Sequence, residues 1–165
     1  MKAWHAVLVA LAAAVTLTSV AAADTDGAKQ RVAINLKILP ESTFVLTPVR
    51  AGALKPDSGT ISGNWRSVSC HAVMRKGQKV DVCNAVVWTL EGKQGSLTIR
   101  ERNEWVAVSN ENAPGVDFPP GVAVGTWKVV RGTGQYAGIT GSGRSGHAGL
   151  GAQWFARQEG FLTVP

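Results

Sequence analysis

Apolar residues recur at every second position along this chain and show no convincing 3.6-residue period. That pattern admits half-buried strands and excludes a bundle of amphipathic helices. Val32, Ile34, Leu36 and Ile38 alternate with Ala33, Asn35 and Lys37 until Pro40 stops the run. Phe44–Val49, Trp65–Val73, Val80–Leu90, Ser96–Ser109, Val122–Val130 and Trp154–Val164 read as further strands. Ala51–Gly63, with Gly52, Pro56 and Asp57-Ser58-Gly59, reads as a loop, as does Asn110–Gly121; Glu91–Gly95 reads as a turn. About seven or eight strands at hairpin spacing favour a single antiparallel barrel or sandwich. The 19 glycines have no three-residue period, so collagen is excluded. With 45% apolar and only 17% charged residues, the chain is too apolar to be disordered.

The start of the chain is of a different kind. Met1-Lys2 is positive, Ala6–Val20 is uncharged and mostly apolar, and Ala21-Ala22-Ala23 offers a small-x-small cleavage pattern before Asp24. Residues 1–23 are expected to be a secretory signal peptide and 24–165 the folded domain, secreted or periplasmic. No later run is long and apolar enough for a transmembrane segment. Losing Lys2 takes the net charge from +6 to +5. The basic residues are scattered along the sequence, with one cluster, Arg75, Lys76 and Lys79. Dispersed charge predicts no specific nucleic-acid partner and a mild attraction to anionic envelope surfaces.

Export into an oxidising compartment makes a Cys70–Cys83 disulfide the expectation. The two cysteines flank Arg75-Lys76-Gly77-Gln78, a good two-residue hairpin turn centred on Lys76-Gly77. Residues equidistant from that centre then face each other: Cys70 with Cys83, His71 with Val82, Trp65 with Trp88. Such a loop is worth roughly 3 kcal/mol in the chain-entropy account. Two Cys and two distant His lack zinc spacing, so no metal and no cofactor is expected.

The segment Gly125-Thr126-Trp127 through Gly132-Thr133-Gly134-Gln135-Tyr136-Ala137-Gly138 to Gly141-Ser142-Gly143 is distinctive. Gly132 and Gly134 can take positive φ, Thr133 can cap the next turn, and Tyr136 is placed to close one end of a barrel. Gly138, Gly141 and Gly143 allow close backbone approach. The stretch resembles the Gly-Thr-Gly-x-aromatic signature of the allene oxide cyclase and dirigent-like β-barrels, most of all their bacterial secreted relatives. The resemblance implies an eight-stranded antiparallel, calycin-like barrel with an apolar lumen. It implies fold more than activity, because the signature is structural. Gly63-Asn64-Trp65 also matches the Gly-x-Trp of lipocalins, but there that motif opens the first strand and here two strands precede it. No phosphate-binding loop, dinucleotide fingerprint or nucleophile elbow is present.

Candidate site residues follow from strand parity. On Ser96–Ser109 the odd positions include Leu97, Ile99 and Trp105; if they face inward, Glu101 and Asn103 do too. The even set of Val80–Leu90, with Trp88, carries Asn84 inward, and the hairpin register brings His71 and Trp65 to the same face. Trp65, Trp88, Trp105, His71 and Asn84 would then bind a small hydrophobic or aromatic ligand, with Glu101 and Asn103 as candidate acid–base or anchoring groups. The alternative is a bulge near Arg102 that flips the parity and leaves Glu101 in water. It is the preferred one of the two, because the strand is long and charged just there. Two function classes remain: a noncatalytic secreted barrel that binds an apolar ligand or an envelope partner, and an isomerase- or cyclase-type enzyme using polar groups in the lumen. The absence of a recognisable catalytic set favours the first.

Overall fold

A computed structural model describes residues 29–39, 41–63, 69–107, 120–150 and 153–165, with the backbone alone at Leu39, Cys83, Asn84, Ala85, Ala107 and Leu150. The expected signal peptide, and Trp65, lie outside the described residues. The described chain forms strands β1 (Lys29–Leu39), β2 (Thr43–Pro48), β3 (Asp57–Gly63), β4 (Ser69–Arg75), β5 (Gln78–Gly92), β6 (Ser96–Ala107), β7 (Gly121–Gly132), β8 (Thr140–Leu150) and β9 (Gln153–Thr163). A single 3₁₀ turn, Gly134–Tyr136, follows β7. No described helix is long and apolar enough to cross a membrane.

The strands hydrogen-bond in the order β3-β2-β1-β9-β8-β7-β6-β5, and β3 pairs back onto β5 to close an antiparallel eight-stranded barrel. The long β5 makes this closure possible. Its Trp88–Gly92 half pairs with β3, while its Gln78–Asn84 half carries β4 along the same edge. Closure leaves no long open edge on the barrel.

The alternation read from the sequence sets the inner face. Val32, Ile34, Leu36 and Ile38 are buried on β1, Phe44 and Leu46 on β2, and Trp154, Ala156 and Leu162 on β9. The β4–β5 hairpin has the expected register, with Cys70 opposite Cys83 and His71 opposite Val82, around a turn with Lys76 at φ 49° and Gly77 at φ 81°. Two positive φ values in succession match the right-handed twist of the flanking strands.

Three expectations need correction. Residues 57–63 form β3 rather than loop. The Asp57 carboxylate is buried and accepts the backbone N–H groups of Ser58 and Lys93 at 2.9 Å and of Gln94 at 3.3 Å, so an apparent turn signal anchors a strand start instead. Thr133 precedes the 3₁₀ turn without capping it; its Oγ1 accepts the Ser96 N–H at 3.0 Å and ties two loops together. Gly132 does not need positive φ. It lies in β7, where the Tyr136 backbone occupies the space a Cβ would take.

Gly134 and Gly138 do take positive φ, at 59° and 72°. They turn the chain so that Tyr136, fully buried, closes this end of the barrel and donates its hydroxyl to Asp57 Oδ2 at 3.0 Å. Burial pushes the Tyr136 phenol well above its usual range, and the Asp57 hydrogen bond and charge add to the rise. Tyr136→Phe leaves the ring in place and deletes one donor from a buried carboxylate. It is expected to cost about 1 to 2 kcal/mol in urea unfolding, with little change in the m-value.

Candidate functional site

Inward-facing positions on β6, β7, β8 and β9 come into register as successive layers. One layer reads Asn103–Gly125–Ser145–Gln158 and the next Trp105–Ala123–His147–Ala156. Glu101 sits one step further along β6, opposite Trp127. The barrel interior therefore carries five buried polar side chains in one zone: Glu101, Asn103, Ser145, His147 and Gln158.

Glu101 is the centre of this cluster. Its Oε2 accepts Trp88 Nε1–H at 2.7 Å and Asn103 Nδ2–H at 3.3 Å, and lies 3.2 Å from His147 Nε2. Its Oε1 accepts Gln158 Nε2–H at 2.5 Å. Ser145 Oγ–H donates to Asn103 Oδ1 at 3.2 Å, which fixes the Asn103 amide so that its NH₂ points at Glu101. Burial by itself raises the Glu101 pKa. The His147 hydrogen bond and charge, with the Trp88 and Asn103 donors, outweigh it and hold the carboxyl below its ordinary value.

This carboxylate is saturated with donors, so it is a poor proton acceptor at neutral pH. What it does is orient. A carboxylate offers only lone pairs, so in the neutral form of His147 the proton belongs on Nε2 and an acceptor lone pair is left on Nδ1. No hydrogen bond reaches Nδ1 among the described residues. Two further interior atoms, Trp105 Nε1 and Gln158 Oε1, are buried without a partner.

No protein-family model, curated protein or solved structure matches this chain.

Of the residues singled out from the sequence, the structure brings Glu101, Asn103, Trp88 and Trp105 to the interior. The preferred expectation, Glu101 in water behind a bulge near Arg102, is overturned, since Glu101 is fully buried. A bulge does exist, but on β5: the pairing with β6 shifts between Asn84 and Val86. Above it Val86 lies opposite Glu101, and below it Asn84 lies opposite the exposed Arg102. The register thus takes Asn84 away from the Glu101 face, and its side chain lies outside the described residues. His71 is a second correction. It is exposed, because β4 pairs with β5 alone, beyond the end of β3. A third concerns Trp88, which lies opposite Gly63 rather than Trp65. The β3–β5 register is offset by two residues from the β4–β5 register, so the hairpin count does not extend that far.

Sequence reading missed Ser145, His147 and Gln158. Gln158 was within reach, because it shares parity with the buried Trp154, Ala156 and Leu162. Ser145 and His147 were not. The inward set of β8 is Gly141, Gly143, Ser145, His147 and Gly149, which has no hydrophobic signal at all. Among the described residues no group of three or more His, Cys, Asp or Glu could hold a metal ion.

Proposed function

We propose that this chain is an exported β-barrel that binds a small, largely apolar or aromatic molecule in its lumen and holds one polar group of it against the Glu101–His147 cluster. The observation that carries this reading is the pair of buried polar atoms that, among the described residues, have no partner near a saturated carboxylate: Trp105 Nε1 and Gln158 Oε1. Buried polar atoms are nearly always hydrogen-bonded, so an interior that leaves two open is suited to a ligand that supplies the partners. Trp88 and Trp105 add flat apolar surface to the same lumen. The Gly132-Thr133-Gly134-x-Tyr136 turn, with the closed barrel, supports kinship with the allene oxide cyclase and dirigent-like group.

The test is native mass spectrometry of protein recovered from its own host. A small-molecule adduct that leaves on denaturation is the expected result. A bare polypeptide mass, together with unchanged tryptophan fluorescence across a panel of aromatic ligands, would remove the basis for the proposal.

An exported chain meets an oxidising compartment, which favours oxidised cysteines. With Cys70 opposite Cys83 in the strand register, a cross-strand disulfide is expected. Alkylation of the denatured, unreduced protein should find no free thiol. Cys83→Ser should cost about 2 to 4 kcal/mol and leave the barrel folded.

A second reading has one specific observation in its favour. The carboxylate–imidazole pair at 3.2 Å, with the other ring nitrogen open, is the arrangement of an oriented general base. In an isomerase- or cyclase-type reaction the base would be His147 Nδ1, with Glu101 positioning it. Ser145 is no nucleophile in this scheme, because its hydroxyl is spent on Asn103. Turnover of the copurifying molecule, lost in His147→Gln, separates this reading from simple binding.

A further inference from the structure

The outer wall of the barrel gathers cations that lie far apart in the sequence. Arg100 and Arg102 point outward from β6, Lys128 from β7 and Arg144 from β8, and all four are exposed. Arg100 lies directly opposite Lys128, Arg102 opposite Thr126, and Thr126 opposite Arg144. With about 7 Å between alternate residues along a strand and about 5 Å between strands, the four charges occupy one compact panel. Among the described residues none of the four makes an ion pair or a side-chain hydrogen bond. The two acids at its border are engaged elsewhere. Glu159, opposite Arg144, binds Arg157 at 2.7 Å and Arg31 at 3.4 Å, and Glu104 binds Arg75 at 3.1 Å. Like charges held this close without ion pairs of their own leave a local positive potential.

Exposed apolar side chains flank the same panel. Val124 precedes Thr126 by two residues on the same face and is 64% exposed; Phe161, two strands from Lys128 in the same row, is 50% exposed. We propose that this wall docks on an anionic phospholipid surface, with Arg100, Arg102, Lys128 and Arg144 against the lipid phosphates and Val124 and Phe161 in the headgroup–acyl boundary. A bilayer offers both chemistries at one surface. A polynucleotide would use the charges and at most the single ring of Phe161, not the run of aromatics on which successive bases stack, and it would leave Val124 unused. The inference is independent of what the lumen binds.

Co-sedimentation with vesicles tests it. The protein should pellet with phosphatidylcholine vesicles containing phosphatidylglycerol and not with phosphatidylcholine alone, and about 1 M salt should release it. The variant R100Q/R102Q/K128Q/R144Q should lose binding by at least about a hundredfold. Its far-ultraviolet circular dichroism and melting should match wild type, because all four positions are exposed. K76Q/K79Q, at the hairpin tip, should bind as wild type, and V124S/F161S should bind more weakly at equal charge. Retention of binding in the quadruple variant would overturn the proposal. So would loss of binding in K76Q/K79Q instead, or capture of single-stranded DNA by a protein that ignores both vesicles.

Discussion

Replacing Glu101 with Gln is expected to destabilise the barrel by about 3 kcal/mol or more, measured by urea unfolding at pH 7. The substitution preserves shape and removes charge. Four donors from Trp88, Asn103, His147 and Gln158 converge on the native carboxylate. An amide supplies one acceptor oxygen and turns an NH₂ towards the others, so donors meet donors in a site without water access to repair them. A loss under 1 kcal/mol would mean that the cluster repacks freely. The same group sets a pH dependence. Glu101 has a folded-state pKa below its ordinary value, so the stability it contributes is present above the unfolded value of about 4.3 and is lost as pH falls through the folded one. Wild type should therefore lose its advantage over Glu101→Gln as the solution is acidified below that value. The gap should not change between pH 6 and pH 5 on account of Glu101.

Gly134→Val is expected to be as damaging, by roughly 3 to 5 kcal/mol in the same measurement. The backbone at Gly134 has φ 59°, which a β-branched side chain resists, and a Cβ there would overlap the Gln94 carbonyl oxygen. Gly77 separates the two causes. It has φ 81° but nothing within 4 Å of a built Cβ, so Gly77→Ala should cost only about 1 kcal/mol. If Gly134→Ala matched Gly77→Ala, close approach of Gln94 would not be what demands glycine at 134.

The strands of this barrel were legible wherever apolar residues alternate with polar ones. The run Val32-Ala33-Ile34-Asn35-Leu36 specifies a face by itself, because one face of the strand must leave water. The hairpin of β4 and β5 was legible to the residue because Lys76-Gly77 fixes the register of everything paired through it. β3 was not, since Asp57-Ser58-Gly59 is turn chemistry in isolation, and it is Lys93, Gln94 and Tyr136, all more than thirty residues away, that make Asp57 an interior anchor. The site divides along the same line. Parity alone brought Glu101 and Asn103 together. Their partners His147 and Ser145 sit on a strand of inward glycines, where no hydrophobic signal marks the face. The Ala85 bulge that removes Asn84 is a register irregularity between two strands, and no single-strand pattern encodes it.

The tryptophans of the interior rest on glycines. A Cβ at Gly63 would overlap the Trp88 indole, one at Gly121 that of Trp105, one at Gly149 that of Trp154, and Gly143 and Gly160 both underlie Trp127. Each Trp and its glycine belong to different strands, hydrogen-bonded neighbours in every case but Gly160, which reaches Trp127 from two strands away. A strand that slips by two residues keeps its inside and outside correct, so hydrophobic patterning cannot reject the error. These pairs can. A two-residue slip would drive Trp154 against His147 instead of Gly149, or Trp88 against Ile61 instead of Gly63. The large and small residues thus work as keys cut across successive seams, and they proofread the closure of a sheet whose alternation alone would permit several barrels.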